Sequence, residues 1–328
     1  KMKKFKYVFT LVTAIILMAC NNDTNTPKKT ESAKVEIIQT PKFNPDSVFY
    51  FIQKQVDFGP RTPNSKAHKA CSEWLINYFK TLGWQVEEQR GVQMAHDGEA
   101  LVFVNIIAKF QPEKTHRIQL SAHWDTRPWA DQDSENQNKP IDGANDGASG
   151  VGVIMEIARL ISQENLEIGI DVVLFDVEDY GISEVENSFC YGSQYWFKNF
   201  NAIHIIPKFG INLDMVGDKN AQYFYEGYSM EFARPVLDKV WRAASDLGYS
   251  STFVSTPSGY ITDDHYWVNK TGIPCIDIIH KDPETKSFPK TWHTHDDNIQ
   301  NIDKTMLNIV GNTLMQVIYR ENKNLKAL

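Results

Sequence analysis

The sequence is poor in cysteine and has no excess of positive charge. Four cysteines in 328 residues exclude a small scaffold built on disulfides. Its 34 Lys and Arg are outnumbered by 41 Asp and Glu, giving a net charge of −7, so we expect no nucleic-acid partner. The content of 42% hydrophobic and 23% charged residues is that of a globular domain. Polytopic membrane proteins, fibrous proteins and mostly disordered chains are thereby excluded.

Three common catalytic motifs are also missing. The sequence has no Gly-x-Ser-x-Gly elbow for a serine nucleophile, no Gly-x-x-x-x-Gly-Lys phosphate loop and no His-Glu-x-x-His zinc helix. The segment 147–152 resembles a dinucleotide fingerprint only weakly, because it follows Asp146 and no strand precedes it. An acidic residue there would repel a pyrophosphate. Reactions that depend on these motifs are therefore not indicated.

The first residues have the pattern of an export signal. Three lysines within residues 3–6 precede an uncharged, mostly apolar run over 7–19, which is too short to span a bilayer as a stable helix. The run ends at Ala19-Cys20, which resembles the lipobox of bacterial lipoproteins. We therefore expect a signal peptide at 1–19 and lipid attachment at Cys20, with plain secretion or an incidental cysteine as the alternatives.

The segment after the signal differs from the rest of the chain. Residues 20–45 are rich in Asn, Thr, Lys and Pro, which favours a flexible tether. No repeat or second composition shift follows, so a single catalytic domain is expected at 46–328. The resulting picture is an exported, monomeric bacterial lipoprotein of the periplasm or outer membrane, which touches the membrane only through its lipid.

Helical and strand patterns alternate along the domain. Helical spacing of apolar residues occurs over 46–57, 64–82, 149–161, 230–247 and 304–319, and strand-like runs lie at 84–93, 101–110, 117–122, 170–175, 210–213 and 274–279. Such alternation predicts an α/β fold in which a twisted, mostly parallel sheet carries helices on both faces. The two early strands suggest an antiparallel edge. The expected domain therefore has three layers around one mixed central sheet.

Polar side chains follow the buried strands where each strand ends. His123 ends one run, Glu178 and Asp179 follow another, and Asp214 follows a third. Because parallel strands deliver their carboxyl ends to one edge, these groups should lie together. Two further segments contain candidate ligands. One is a Gly-rich turn at 142–150, with the sequence Asp-Gly-Ala-Asn-Asp-Gly-Ala-Ser-Gly, and the other is a His-containing segment at 292–298, with the sequence Trp-His-Thr-His-Asp-Asp-Asn. A set of one imidazole and several carboxylates is typical of a site for a divalent metal ion, and zinc is the first candidate.

The same segments resemble the zinc aminopeptidase and glutaminyl cyclase superfamily. The matching stretches, in the family's order, are Gly59-Pro-Arg61, Ser121-Ala-His-Trp-Asp125, Gly143-Ala-Asn-Asp-Gly-Ala-Ser-Gly150, Leu174-Phe-Asp-Val-Glu-Asp179, Tyr191-Gly-Ser193, Asn212-Leu-Asp-Met-Val-Gly217, Asp263-Asp-His265 and Trp292-His-Thr294. The resemblance covers the chain from about residue 47 and implies a single α/β domain around a mixed sheet.

The resemblance also implies roles for individual residues. Asp146, Asp179 and His293 match the ligands of the metal common to the superfamily, and Glu178 matches the general acid/base. His123 and Asp214 match the residues that hold a second zinc in the peptidases. In a cyclase, Asp214 and Asp263 would instead orient the reacting groups by hydrogen bonds.

Finer features of the resemblance favour a cyclase over a peptidase. Trp292 directly precedes His293, and Phe288 lies four residues earlier; with Trp129 they would form an apolar cup for a glutaminyl side chain. The implied reaction is cyclisation of the N-terminal glutamine of peptides and proteins to pyroglutamate, with release of ammonia and one zinc ion. The alternatives are an aminopeptidase of the same fold with two zinc ions, and an inactive surface lipoprotein that only binds.

Overall fold

The computed structural model describes residues 37–200 and 205–326. The signal peptide expected at 1–19, the lipid attachment at Cys20 and most of the expected tether lie outside these residues. The helices are α1 (Pro45–Asp57), α2 (Lys66–Thr81), α3 (Ala148–Ile161), α4 (Tyr191–Lys198), α5 (Gly227–Asp246), α6 (Asp264–Lys270) and α7 (Lys304–Lys326). The strands are β1 (Gln85–Met94), β2 (Ala100–Phe110), β3 (Arg117–His123), β4 (Gly169–Phe175), β5 (Phe209–Asp214), β6 (Tyr223–Glu226), β7 (Phe253–Gly259) and β8 (Cys275–Ile279).

Local sequence signals set the ends of the first two helices. The Asn44 side chain caps α1 by accepting from the Asp46 N–H, and Pro45 occupies a first-turn position that needs no N–H donor. Ser65 caps α2 in the same way, through the His68 N–H. After α2 the chain turns at Gly83, which holds a φ of +80° that is costly for other residues.

Six strands form the central sheet, in the order β1-β2-β4-β3-β5-β8. The strands β4, β3, β5 and β8 are parallel to one another, whereas β1 and β2 are antiparallel to each other and β2 is antiparallel to β4. This confirms the predicted mixed, mostly parallel sheet with an antiparallel edge. The strands β6 and β7 form a separate parallel pair.

Both faces of the sheet are covered by helices. On β4, Val172 and Leu174 pack into the large core that includes α1, α2, α3, α5 and α7, while Val173 and Phe175 pack on the other side with residues of α4 and α6. Because side chains alternate along a strand, each face of β4 meets a different helical layer. The three-layer prediction is therefore confirmed.

The packed chain starts earlier than expected. Phe43 is buried against Gly311 of α7, and the backbone of Ile38 exchanges hydrogen bonds with the Gln316 side chain. Residues 37–45 therefore belong to the domain and not to a tether that was expected to reach residue 45. Among the described helices, none combines the length and apolar character needed to cross a bilayer.

Candidate metal centre and active site

The turn after β4 places two carboxylates at the edge of the sheet. Asp125, just beyond β3, accepts the backbone N–H groups of Glu178 (3.0 Å) and Asp179 (3.3 Å). Between them and the strand, Val177 holds a φ of +53°, a strained value for a β-branched residue. The hydrogen bonds to Asp125 therefore hold a turn that the local sequence would not adopt on its own.

Three of the predicted metal ligands meet in this place. Single ligand atoms of Asp146, Asp179 and His293 all lie within 4.8 Å of one another, and all three residues are buried. The Nε2 atom of His293 lies 3.1 Å from Asp179 Oδ1 and 3.8 Å from Asp146 Oδ2. The other oxygen of Asp179, Oδ2, is buried with no hydrogen-bond partner. Two carboxylates and one imidazole fit the three-ligand pattern of catalytic zinc.

The loop that carries Asp146 is held from two distant parts of the chain. The Asp297 carboxylate accepts the N–H groups of Asn145 (2.6 Å) and Asp146 (3.1 Å). The fully buried Arg61 donates to the carbonyls of Trp124, Asp142 and Gly143 at 2.7–3.1 Å, as three separate contacts. These hydrogen bonds fix the position of the Asp146 carboxylate independently of a metal.

The remote nitrogen of His293 faces a carboxylate that the sequence did not indicate. Its Nδ1 atom lies 3.2 Å from Asp131 Oδ1, and Arg127 donates to both oxygens of Asp131 at 2.6 and 3.0 Å. Burial alone would raise the pKa of Asp131, but His293 and Arg127 lower it well below its usual range. A carboxylate on the remote nitrogen of a ligating histidine fixes its tautomer and orientation. The sequence did not predict a role for Asp131, because the acidic run 131–135 is typical of a solvated loop.

A second group of possible ligands shares Asp146 with the first. His123 Nε2 lies 2.9 Å from Asp146 Oδ1 and 3.4 Å from Asp214 Oδ1, so the two oxygens of Asp146 serve different groups. Burial alone would lower the pKa of His123, but its carboxylate neighbours, Asp125 foremost, raise it well above the ordinary value. Burial raises the pKa of Asp214 to about 7, and repulsion from Asp146 adds to this.

Glu178 is positioned beside the metal ligands. Burial raises the pKa of its carboxyl well above the ordinary value, and repulsion from Asp179 acts in the same direction. The Cys190 thiol donates to Glu178 Oε1 at 3.2 Å, and the Cys190 N–H donates to the Glu178 carbonyl at 2.8 Å. A carboxyl whose pKa is shifted upward can both accept and return a proton near neutral pH.

Asp263 faces the same cavity from the start of α6. Its Oδ2 atom accepts from Asn212 at 2.9 Å, and Asn212 in turn accepts from the Ser121 hydroxyl at 2.8 Å. One carboxylate oxygen of Asp263 lies within 4.8 Å of ligand atoms of Glu178 and Cys190. The structure thus brings Asp263 and the expected base together.

Aromatic side chains form one wall of the cavity. The rings of Phe288 and Trp292 stack at 4.4 Å, and those of Trp292 and His293 stack at 3.6 Å. The cavity of about 280 Å³ is at the small end of ligand pockets. Trp129, expected in the same wall, is not among the described residues that line the cavity; its ring packs on Tyr180 at 5.0 Å and under Arg127.

Several cavity residues were not anticipated from the sequence. They come from three loops and from the last residue of β8: Ser183, Phe189, Tyr260, Ile261, Thr262, Ile279 and Lys281. Their only sequence signal was proximity to Asp179, Asp263 or the end of the last strand. His295, the other histidine of the 292–298 segment, is exposed and pairs with Asp133 at 2.8 Å. The three described cysteines are free and buried.

The chain is similar in sequence and in fold to known proteins. The model of peptidase family M28 matches residues 105–318. A glutaminyl-peptide cyclotransferase of Boiga irregularis is 26% identical over 300 residues, covering 81% of this chain and 78% of that protein. The structure of a Bacteroides thetaiotaomicron glutaminyl cyclase bound to N-acetylhistamine has a TM-score of 0.83 and 48% identity, covering 86% of this chain and 99% of that one. A Zn-dependent exopeptidase of Parabacteroides distasonis has a TM-score of 0.83 and 45% identity, with the same coverage.

Proposed function

The chain belongs to peptidase family M28, and we propose that it is a glutaminyl-peptide cyclotransferase. It converts the N-terminal glutamine of peptides and proteins to pyroglutamate and releases ammonia. The observation that carries this conclusion is the stack of Phe288 and Trp292 on His293, which closes a small cavity directly beside Glu178. A short, largely apolar cup of this kind fits one glutaminyl side chain better than the range of side chains that a general exopeptidase admits.

The reaction follows from the groups around the cavity. The α-amine nitrogen of the substrate forms a bond to the carbon of its own γ-carboxamide, and the bond from that carbon to the amide nitrogen breaks. Glu178 takes a proton from the attacking amine and delivers it to the departing ammonia. Asp214 and Asp263 accept hydrogen bonds that orient the reacting groups. Because one molecule closes on itself, holding the folded conformer supplies much of the acceleration.

We assign Asp146, Asp179 and His293 as the residues that hold one zinc ion. The donor set and the unpartnered Asp179 Oδ2 support this assignment. Zinc bound there would supply Lewis acidity toward the amide oxygen. Asp131, which accepts from Arg127 and lies 3.2 Å from His293 Nδ1, would favour the orientation that binding requires.

The second candidate function is a two-zinc aminopeptidase. The group of His123, Asp146 and Asp214 favours it, because a second ion there could assist a water nucleophile. The complete set of base and ligand side chains argues against an inactive binding module. The cyclase and the aminopeptidase can be distinguished by the number of zinc ions per chain and by the product that is formed.

The decisive experiment treats the purified protein with a peptide beginning in glutamine and follows the product by mass spectrometry. Loss of ammonia alone is expected, and Glu178→Gln should abolish it, whereas Glu284→Gln, an exposed control, should not. A chelator should stop the reaction and added zinc should restore it. Release of a free N-terminal residue would instead establish the aminopeptidase.

The location of the protein is a separate proposal. The ordering of charged, apolar and Ala19-Cys20 segments supports removal of residues 1–19 and acylation of Cys20, followed by a tether up to the packed domain. The enzyme would then be an exported, monomeric lipoprotein. Cys20→Ser should move it from the membrane to the soluble fraction of bacterial cells; equal membrane retention of both proteins would overturn the anchor.

A further inference from the structure

A cluster of aromatic side chains adjoins the mouth of the cavity. Tyr260 lines the cavity, yet 64% of its surface is exposed. Its ring meets that of Tyr228 at 4.9 Å, and Tyr228 in turn meets Phe232 at 6.0 Å and Tyr266 at 4.6 Å. Phe232, at the far end, is 39% exposed. We call these four residues the aromatic ridge.

One buried carboxylate fixes the ridge to the cavity wall. Glu226 accepts the N–H groups of Tyr228 (2.9 Å) and Ile261 (3.0 Å), and its other oxygen lies 2.9 Å from His265 Nε2. It therefore ties the start of α5 to the segment that carries Tyr260. Gly227 allows the Tyr260 ring to pack closely on the start of α5, because a Cβ at this position would lie 2.5 Å from the ring. The ridge is thus preorganised relative to the reacting groups, which lowers the cost of binding a ligand on it.

The geometry restricts what can lie on this surface. A substrate enters the cavity by its N-terminal glutamine, so its following residues have to leave across the rim, where Tyr260 forms both wall and ridge. The ring-to-ring steps from Tyr260 to Phe232 are 4.9 and 6.0 Å, and an extended chain advances about 3.3 Å per residue. The ridge can therefore hold at most about three residues.

We propose that the aromatic ridge binds residues 2–4 of the substrate peptide and favours apolar or aromatic side chains there. The proposal rests on the proposed cyclase function. Aromatic rings present a large contact surface with little conformational entropy to lose. The Lys270 ammonium lies 4.7 Å from the Tyr266 ring and 5.6 Å from the Phe232 ring, so basic residues are disfavoured at the far end.

The test compares kcat/KM for two substrates, glutaminyl amide and Gln-Phe-Leu-Phe amide. The unmodified enzyme should prefer the tetrapeptide, and Phe232→Ala should lower kcat/KM for the tetrapeptide about fivefold while leaving glutaminyl amide unchanged. Val92→Ala, an exposed apolar position on β1, serves as the matched control. Equal effects of Phe232→Ala on both substrates, or none on either, would overturn the proposal.

A charge reversal provides an independent check. Lys270→Glu should raise kcat/KM for Gln-Phe-Leu-Lys amide several-fold relative to Gln-Phe-Leu-Phe amide, because it removes repulsion at the far end of the ridge. An unchanged ratio would contradict binding of the fourth residue there. If the unmodified enzyme releases ammonia from no substrate, the cyclase function itself fails; release without dependence on peptide length refutes only the ridge.

Discussion

Four non-glycine residues around the site hold positive φ angles. They are Val177 (+53°), Cys190 (+60°), Met215 (+49°) and His293 (+56°). Such conformations cost of order 1–3 kcal/mol each and persist only where surrounding contacts overdetermine them. At Val177 the neighbouring hydrogen bonds to Asp125 do so, and at Cys190 the backbone and thiol bonds to Glu178 do. These contacts hold the proposed base Glu178 and the proposed ligand Asp179 at the same edge of the sheet.

Replacement of Cys190 separates the role of its thiol from simple packing. Cys190→Ala removes the hydrogen bond to Glu178 Oε1 and should lower kcat about fivefold, an effect of about 1 kcal/mol, with KM within twofold. Cys190→Ser keeps a donor and should recover most of that loss. The measurement is steady-state kinetics of ammonia release. Cys275→Ala, another buried thiol, is the control; an equal loss in that variant would mean that both act through packing alone.

At the scale of elements, sequence patterns worked best for long and buried segments. The helix spanning 149–161 and the strand at 170–175 were predicted within one residue of α3 and β4, because their burial imposes a readable apolar pattern. The helices α4 and α6 and the strands β6 and β7 were not predicted. Four to eight residues are too few for a period to show, and tertiary contacts decide their conformation.

The residues of the site also fall into those that the sequence could predict and those that it could not. Residues at strand ends, such as Asp179 and Asp214, could be predicted because the sheet topology fixes where strand ends meet. Asp131, Cys190 and Tyr260 could not, since each lies in a loop whose contacts come from remote segments. Trp129 lies in such a loop too, and its ring packs on Tyr180 and under Arg127.

Glu226 joins three elements, and its ionisation should be visible in the stability of the protein. Burial alone would raise its pKa, but His265 and backbone N–H groups lower it to about 2. Because the folded-state pKa lies below the unfolded value of about 4.3, the stabilisation is complete above that value and is lost as pH falls toward 2. Its size is about 3 kcal/mol, at 1.36 kcal/mol per pKa unit.

The corresponding prediction concerns the free energy of unfolding. Glu226→Gln should destabilise the protein at pH 6, and the difference from the unmodified protein should shrink steadily between pH 4.5 and pH 3. Urea denaturation followed by fluorescence measures this. Glu231→Gln, an exposed position on α5, should change little at either pH. A difference that stays constant with pH would show that Glu226 acts through shape and not through its charge.

At the scale of the whole molecule, the buried carboxylates Asp146 and Asp179 and the imidazole of His293 would couple metal binding to folding. A ligand that binds only the folded state stabilises it by about 2.7 kcal/mol at a concentration of 100 Kd. Zinc should therefore raise the Tm of the metal-stripped protein by several degrees. Differential scanning calorimetry of the metal-stripped protein, with and without zinc, measures the shift.

Three variants make that measurement specific to individual residues. Asp179→Asn should abolish most of the zinc-dependent rise in Tm, whereas Glu178→Gln should keep it, since we assign Glu178 as the base and not as a ligand. An equal rise in Asp179→Asn would remove Asp179 from the ligand set. His123→Ala tests the second group: an unchanged rise is expected for a single ion held by the other three side chains.

The loop that carries Asp146 is held by Arg61 and Asp297, from opposite directions along the chain. During synthesis, the Asp297 contact cannot form until about 150 further residues have followed the loop. His293 arrives with the same late segment. The proposed zinc site is therefore complete only near the end of synthesis, because a chain halted before that segment lacks both His293 and the Asp297 hydrogen bonds.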